Sequence, residues 1–434
     1  MTRAGWISVA KTSLLVLFVV GALEGIGALA LRTHMGRLPS LAELRAQRQA
    51  LTVTDPNAAA RRAGLQRPRA DIVIHPYLGY VWDPAANTSS LSDYGLSVND
   101  FGLLDVASPI HRAGDDETIV GITGGSVAFW LTTTGLQTLE RELRASPQLR
   151  SRKLTFVRLA LGGYKAPQQL MLLSYLLAQG AHFDILVNID GFNEVAFPPV
   201  EHLPANVNPV YPRSWPLLVA GLDLGEQTIL VAGILTRTDR RRWWAAQMDR
   251  TLLGRSYAAN AVWKLTDDIA ARENASATAR ISSLDAEQRP FYLTGPPSRY
   301  RDAAAIVAAA VPIWRDTSIQ LDRLCRGNGI HYFHFLQPNQ YDPGSKPIGP
   351  EEARVALNKD QPYAQGVVLG YPLLRRAGGE ITQAGVAFTD LSRVFTNHPE
   401  PTYRDDCCHL NAHGNELLAR VIGRRIVEQL ASSR

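Results

Sequence analysis

Five short apolar runs, separated by segments with helical periodicity, constrain the fold more than any other feature of this sequence. Each run is continuously apolar rather than alternating, which is typical of a strand that is buried on both faces. Such strands occur in parallel sheets with helices on both sides, and sites in these sheets form at the carboxyl ends of the strands. We therefore predict an α/β fold. The five runs are 118–122, 154–161, 184–189, 329–336 and 386–391.

Composition excludes several classes of protein. The chain of 434 residues has 45 Lys and Arg against 40 Asp and Glu, a formal net charge of +5, and 46% of it is hydrophobic. This apolar fraction excludes a disordered or fibrous chain and suffices for at least one large core. No long basic block concentrates the positive charge, so we expect no nucleic-acid partner.

The N-terminal region contains a run of twenty residues, 12–31, whose only charge is Glu24. As a helix this run spans about 30 Å, the thickness of a bilayer's hydrocarbon core. We expect a single N-terminal membrane anchor with the large domain outside the cytoplasm, because no second span follows. Basic residues on both sides leave the orientation open. The alternative is a cleaved, secreted protein, since Ala28-Leu29-Ala30 resembles a signal-peptidase site.

A long, mostly helical stretch between 198 and 323 lacks strand signals, and we expect it to be an insertion in the α/β domain. Its segment 240–244, RRRWW, predicts either a solvated helix face with tryptophans on the inner side or a contact with a membrane or polysaccharide. The expected parts of the chain are an anchor or signal segment at 1–35, a stalk and lead-in at 36–105, and the α/β domain with its insertion at 106–434.

A serine lies in the glycine-rich turn that follows the first apolar run, in Gly124-Gly125-Ser126. A serine between a strand and a helix has an exposed hydroxyl, and the glycines let a substrate approach the backbone. Amides at the helix N-terminus would add donors where an oxyanion forms. Taken alone, Ser126 could equally cap a turn or a helix.

A carboxylate and a histidine precede the last amphipathic helix, in Asp406-Cys407-Cys408-His409. A carboxylate three residues before a histidine can accept the Nδ1 proton and leave Nε2 as a base towards a serine hydroxyl. One alternative is a surface acid with a capped histidine. Another is a zinc site of His409, His413 and the nearby thiols, but no separated cysteine pair completes its shell.

Two further loops follow the second and third apolar runs. Gly162-Gly163 stands in the first loop and Gly191-Phe192-Asn193 in the second. A glycine N–H and the Asn193 side-chain amide are uncharged donors that could stabilise an oxyanion, each contributing about 3 kcal/mol to the transition state. A tight turn and an Asx-turn are the alternatives.

The order of these segments resembles that of the SGNH hydrolases, a superfamily of GDSL-like serine esterases. Four blocks match, over about 115–197 and 329–430: the segment 124–126, the loop ending at Gly163, the segment 191–193, and the segment 406–409. The resemblance implies a flavodoxin-like three-layer α/β/α fold with a central parallel five-stranded sheet.

The resemblance also implies roles for individual residues. Ser126 would be the nucleophile, His409 the general base and acid, and Asp406 the carboxylate that orients the histidine. The oxyanion hole would be formed by the N–H groups of Ser126 and Gly163 and by the side-chain amide of Asn193. The family's chemistry needs no cofactor or metal.

The chain departs from the family pattern in several places. Gly125 replaces the aspartate of the usual Gly-Asp-Ser, while Arg158 and Ala160 replace an asparagine and a glycine of the second block. Asp405 adjoins Asp406 and could take its role, although the spacing favours Asp406.

The three cysteines are too few for a disulfide scaffold. Two of them, Cys407 and Cys408, adjoin the histidine. In an oxidising compartment one of them could pair with Cys325. A vicinal disulfide and two buried thiols are the alternatives.

Three functions remain open at this point. The first is an esterase or deacetylase that forms an acyl-enzyme, with an O-acylated envelope polysaccharide, glycolipid or small ester as substrate. The second is a polysaccharide O-acyltransferase with the same triad, in which a sugar hydroxyl accepts the acyl group. The third is a non-catalytic envelope-binding or assembly module, in which Ser126, His409 and Asp406 would not converge.

Overall fold

The computed structural model describes residues 3–53, 72–84, 96–105, 114, 116–219, 226–283, 291–296 and 300–432. Their contacts divide the chain into two compact units. The larger, here called the sheet unit, comprises Arg67–Val219 and Ala286–Arg434. The smaller, here called the helical unit, comprises Met1–Gln66 and Ala220–Asp285.

A five-stranded parallel sheet forms the centre of the sheet unit, as the five apolar runs predict. Its strands are arranged in the order β4-β3-β5-β6-β7. Counted along the chain this order is 2-1-3-4-5, the order of flavodoxin-like folds. The sheet strands are β3 Glu117–Gly124, β4 Lys153–Arg158, β5 Ile185–Asp190, β6 His331–Leu336 and β7 Ala387–Asp390, and a separate antiparallel hairpin consists of β1 Ile72–His75 and β2 Gly79–Trp82.

Burial explains why β3 and β5 are continuously apolar. Every residue of both strands is buried, because each lies between two parallel neighbours and under helices. In register, Val120 of β3 is opposite Phe156 of β4 and Ile185 of β5. The carboxyl ends of β3 and β5 therefore lie side by side.

Helices make up most of the remaining described structure. In chain order they are α1 Arg3–Met35, α2 Leu41–Val53, α3 Ser126–Thr134, α4 Leu136–Leu143, α5 Gln168–Ala178, α6 Phe192–Phe197, α7 Leu203–Ala205, α8 Trp215–Leu218, α9 Glu226–Arg250, α10 Tyr257–Ser283, α11 Phe291–Thr294, α12 Ala303–Gly327, α13 Pro350–Ala356, α14 Ala364–Gln383 and α15 Ala412–Ser432, with a π-turn at Pro198–His202 and a 3₁₀ turn at Leu252–Arg255.

Two groups of helices cover the sheet. The closing helix α15 contacts α3 and α4, whereas α12 contacts α5 and α14. Since parallel crossovers are right-handed, the connection from β3 to β4 lies on one face and the connections towards β7 lie on the other. This is the three-layer α/β/α arrangement.

The helical unit consists of α1, α2, α9 and α10. Its core is formed by Leu31, Leu44, Met248, Ala261 and Trp263. By their contacts α2 is grouped with α9, whereas α12 contacts the sheet strand β6.

The N-terminal helix is long and apolar enough to cross a membrane. The most apolar window of its segment Thr12–Met35 has a mean hydropathy of 2.4, and only 11% of that window is buried. This is consistent with a membrane anchor or a signal sequence.

Candidate functional site

Ser126 is the first residue of α3, directly after β3 ends. Gly124 has a φ of +137°, and a Cβ there would lie 2.0 Å from the Ile189 carbonyl oxygen of the neighbouring strand. Only a glycine therefore allows this turn. The Ser126 side chain at this turn is half-buried.

His409 contacts the serine, 283 residues away along the chain. Its Nε2 lies 2.8 Å from Ser126 Oγ. The structure thus brings together two of the three residues expected to form the triad. The His409 side chain is 22% exposed, so solvent and small molecules can reach the pair.

The carboxylate beside His409 belongs to Asp405, which corrects the expectation of Asp406. Asp405 Oδ2 lies 2.5 Å from His409 Nδ1. Its other oxygen accepts the backbone N–H groups of Cys407, Cys408 and His409 at 3.0–3.2 Å. These three bonds fold the turn around residue 405.

Asp406 points to a different neighbour. Its Oδ2 accepts a hydrogen bond of 2.8 Å from the Asn358 side-chain amide. The turn that wraps around Asp405 therefore places residue 406 outside the line from carboxylate to imidazole, although the spacing of three residues favoured it.

The hydrogen bonds of Asp405 also determine its charge state. Burial alone would raise the pKa of this carboxyl, but the hydrogen bond from His409, with those from the backbone N–H groups, holds the pKa below its ordinary value. Asp405 is therefore an anion at neutral pH and accepts the Nδ1 proton.

Asn193 is the second residue of α6, which follows β5, and it lies close to the serine turn. Its Nδ2 donates a hydrogen bond of 2.7 Å to the Tyr164 carbonyl oxygen. A Cβ on Gly125 would lie 2.3 Å from the same Nδ2. One amide hydrogen is used by Tyr164, and the amide is in contact with the residue before Ser126.

The loop after β4, which contains Gly162 and Gly163, is hydrogen-bonded to the serine turn. Leu161 N–H donates to the Gly124 carbonyl at 3.2 Å. Gly163 has a φ of +86°, and a Cβ there would lie 2.2 Å from Arg213 Cδ. The Gly162 carbonyl accepts a hydrogen bond of 3.1 Å from the hydroxyl of Tyr80, in the hairpin strand β2. The lead-in thus supports this loop.

Glu194 connects the loop after β4 with the turn after β5, a role that the sequence reasoning missed. One carboxylate oxygen accepts Ala166 N–H at 2.8 Å and the other accepts Gly191 N–H at 2.9 Å. Burial, and then the charge of Asp190, raise the pKa of Glu194 to about 8. The signal was present in the sequence, because an acid three residues after an N-cap residue can accept its backbone N–H, as Glu194 does for Gly191 at the start of α6.

An aromatic side chain forms one wall of the site. Trp130 of α3 has its ring 6.4 Å from the imidazole of His409, edge to face. The exposed guanidinium of Arg404 lies 4.5 Å from the Trp130 ring centre. The site therefore has an apolar wall with a cation at its edge, which the sequence reasoning also missed.

The three cysteines are free thiols. Cys407 and Cys408 have their sulfur atoms 3.4 Å apart, and Cys325 is buried in α12. Burial and the neighbouring Cys407 thiol raise the pKa of Cys408 well above its ordinary value. Cys408 is thus a neutral thiol, which argues against its being the nucleophile.

A metal site would have to share these residues. The ligand atoms of Cys407, Cys408 and His409 lie within 4.8 Å of one another. Both ring nitrogens of His409 already face Ser126 and Asp405, however, and His413 faces Glu400 at 3.3 Å. A metal ion bound by His409 would therefore compete with the serine or the carboxylate.

Comparison with known proteins leaves this geometry as the main guide to function. No protein-family model matches the chain. No curated protein matches it either.

Proposed function

We propose that this protein is a membrane-anchored serine ester hydrolase of the SGNH type, with Ser126, His409 and Asp405 as its triad. The observation that carries the proposal is the continuous line of hydrogen bonds from Ser126 Oγ through both nitrogens of His409 to Asp405. The Asn193 amide beside Gly125 supports it, because an uncharged donor is needed where the oxyanion forms.

In the first half-reaction His409 Nε2 takes the hydroxyl proton of Ser126 while Oγ attacks the ester carbonyl. The tetrahedral oxyanion receives hydrogen bonds from the N–H of Ser126, the N–H of Gly163 and the free hydrogen of the Asn193 amide. The C–O bond to the leaving group then breaks. His409 gives its proton to the departing alkoxide, and an acyl-enzyme remains.

In the second half-reaction a water molecule attacks the acyl-enzyme. His409 takes its proton, the bond to Ser126 Oγ breaks, and the proton returns to the serine. Asp405 remains ionised throughout and stabilises the imidazolium that forms twice in the cycle. A sugar hydroxyl in place of water would make the same site an acyltransferase.

The substrate class follows from the expected location. An N-terminal anchor with the sheet unit outside the cytoplasm would place Ser126 near the cell envelope. We propose an O-acyl group, in the simplest case O-acetyl, on an envelope polysaccharide or glycolipid. The partly exposed Trp130 supports a sugar substrate, because an aromatic face packs against the C–H face of a sugar ring.

The test is to purify the full-length chain in detergent and measure acyl release from 4-nitrophenyl acetate and from an O-acetylated polysaccharide. Ser126→Ala should lower kcat about 10³-fold or more, because the nucleophile is lost. The matched control is Ser174→Ala, whose hydroxyl binds the Leu170 carbonyl within α5. It should retain the wild-type rate.

A fluorophosphonate probe gives an independent readout. Intact-protein and peptide mass spectrometry should find the label on Ser126 in the wild type and none in Ser126→Ala. Equal acyl release by wild type and Ser126→Ala would refute the serine mechanism. Adding sugar acceptors and following the acyl group then separates hydrolysis from transfer.

A further inference from the structure

In the helical unit, hydrogen bonds to Glu24 hold α1 against the hairpin that α9 and α10 form. The Glu24 carboxylate accepts hydrogen bonds from Ser256 Oγ and from Tyr257 N–H, at 2.6 Å for the latter. A Cβ on Gly27 would overlap the backbone of Ala258, so the two helices are in close contact there. The tip of the hairpin, Leu252–Arg255, thus lies beside the apolar segment of α1.

The tip lies beside the part of α1 that is apolar enough to cross a membrane. Thr12 to Glu24 covers about 18 Å of helix, so Glu24 lies inside a hydrocarbon core about 30 Å thick if α1 enters it near Thr12. The side chain of Leu252 at the tip is 77% exposed. On α10, Val262, Leu265 and Ile269 are also exposed and share one helix face. The helix α10 therefore presents apolar side chains to its surroundings on the part of the hairpin that begins beside α1, while the tip itself also carries the exposed Arg250 and Arg255.

A groove between α9 and α10 starts at this tip. It encloses a cavity of about 520 Å³. Its wall near the tip is apolar and includes Met248, Leu253 and Val262. Its other end, about 15 Å along the helices, carries Arg240 and Arg241. The cavity is therefore apolar on the side of the membrane and cationic on the side of the solvent.

The two arginines differ in their partners. Arg241 donates two hydrogen bonds, of 2.7 and 3.0 Å, to the Asp267 carboxylate. Arg240 is exposed and makes no ion pair within the described residues. Arg240 is thus the side chain able to bind an anion at the polar end. Beside it, Trp244 lines the groove and is 47% exposed, and Trp243 is 56% exposed, which disagrees with the alternative that the tryptophans lie on the inner side of a solvated helix.

We propose that this groove binds one anionic glycerophospholipid from the membrane around α1. An acyl chain fills the apolar half near Leu253 and Val262, and the phosphate contacts Arg240. The indole of Trp244 lies between them, at the level where aromatic side chains meet the headgroup region. The occupant is a lipid rather than a soluble metabolite, because the apolar end of the groove lies at the hairpin tip that Glu24 holds against the anchor helix, and the charge of Arg240 matches a phosphate.

The test is native mass spectrometry of the full-length protein, released from detergent after incubation with dioleoylphosphatidylglycerol or dioleoylphosphatidylcholine. The wild type should retain one phosphatidylglycerol and less phosphatidylcholine. Val262→Trp fills the groove and should remove both. Arg240→Gln should lower phosphatidylglycerol retention about fivefold and leave phosphatidylcholine retention unchanged.

Matched controls separate the groove from the rest of the surface. Ile269→Trp adds the same side chain to α10 outside the groove, and Arg272→Gln removes an exposed arginine from the same helix. Both should bind lipid like the wild type. Equal retention by Val262→Trp and wild type, or by the Arg240→Gln and Arg272→Gln variants, would overturn the proposal. The Ser126→Ala protein should bind lipid normally, so the outcome is independent of the proposed hydrolase.

Discussion

His409 has a defined proton arrangement because its two ring nitrogens face different partners. An ionised carboxylate only accepts hydrogen bonds, so the proton belongs on Nδ1, facing Asp405. Nε2 is then the acceptor for the Ser126 hydroxyl. This is the tautomer that general-base chemistry requires.

Asp405→Asn should therefore damage the reaction far more than Asp406→Asn. An asparagine at 405 has a single acceptor oxygen for the turn N–H groups and the imidazole together, and it carries no charge to stabilise the imidazolium. We expect kcat for 4-nitrophenyl acetate to fall about 10³- to 10⁴-fold. Asp406→Asn, which affects only the contact with Asn358, should stay within about threefold of wild type. The reverse ranking would assign the role to Asp406.

The sequence alone does not decide which carboxylate faces His409. Two adjacent aspartates precede His409, and a spacing of three residues favoured Asp406. The choice depends on which carboxylate receives the N–H groups of residues 407–409, and this is a property of the folded turn. Ser126 and Asn193 could be predicted because each follows a strand whose end the apolar pattern already locates.

Lys165 provides a pH-dependent test of the loop that supports the site. Its ammonium is buried and donates to the Pro209 carbonyl. Burial lowers the pKa to about 8, although Glu194 and Glu201 act in the opposite direction. Between pH 8 and the ordinary lysine value of 10.5 the unfolded chain binds more protons than the folded one, so this residue makes stability rise with pH.

Lys165→Met should remove that contribution. We expect the free energy of unfolding of the wild type, measured by urea titration, to gain on that of Lys165→Met as the pH rises from 8 to 10, by at most about 1.4 kcal/mol per pH unit. The exposed Lys359→Met is the control and should run parallel to wild type. Parallel curves for Lys165→Met and wild type would show that the lysine is not buried as described.

At the scale of elements, the site depends on how closely the turn after β3 approaches α6. Gly125 has the Asn193 amide at the distance where a Cβ would overlap it, and the Tyr164 carbonyl 3.3 Å from that Cβ. An aspartate at this position, as in the usual Gly-Asp-Ser of the SGNH hydrolases, would need a different packing of this contact. The Gly-Gly-Ser sequence therefore matches the position of the asparagine.

Gly125→Ala should consequently displace the Asn193 amide. We expect kcat to fall about 10²-fold, as for the loss of one oxyanion donor, with a smaller change in KM. Gly349→Ala is the control, because a Cβ at that position meets nothing within 4 Å. A Gly125→Ala enzyme with wild-type kcat would mean that Asn193 takes no part in the transition state.

The strands could be predicted because burial on both faces produces a continuous apolar run in the sequence. The grouping of helices was not, because it depends on partners far along the chain. The α9–α10 hairpin reads as part of an insertion, yet its contacts are with α1 and α2, about 200 residues earlier. For Glu194 the sequence signals only its bond to the Gly191 N–H, because its other partner, the Ala166 N–H, comes from a different loop.

At the scale of the whole molecule, the two parts of α1 lie in different surroundings. Between Leu14 and Val20 the apolar side chains are exposed, whereas Leu31 is part of the core of the helical unit. A cut after Ala30 would remove Glu24, which caps the start of α10, and Gly27, which allows its close approach. The packing therefore favours a retained anchor over a secreted product.

We accordingly expect the protein in the cell to keep its N-terminal helix. Intact mass spectrometry of protein extracted from membranes should give a mass that includes residues 12–35, and the protein should resist extraction with alkaline carbonate. A carbonate-soluble product that begins at Leu31 would contradict this expectation.

Glu24→Ala should leave the N-terminus intact but lower the thermal stability of the helical unit, because the N–H of Tyr257 and the hydroxyl of Ser256 lose their acceptor in apolar surroundings, at a cost of about 1–3 kcal/mol.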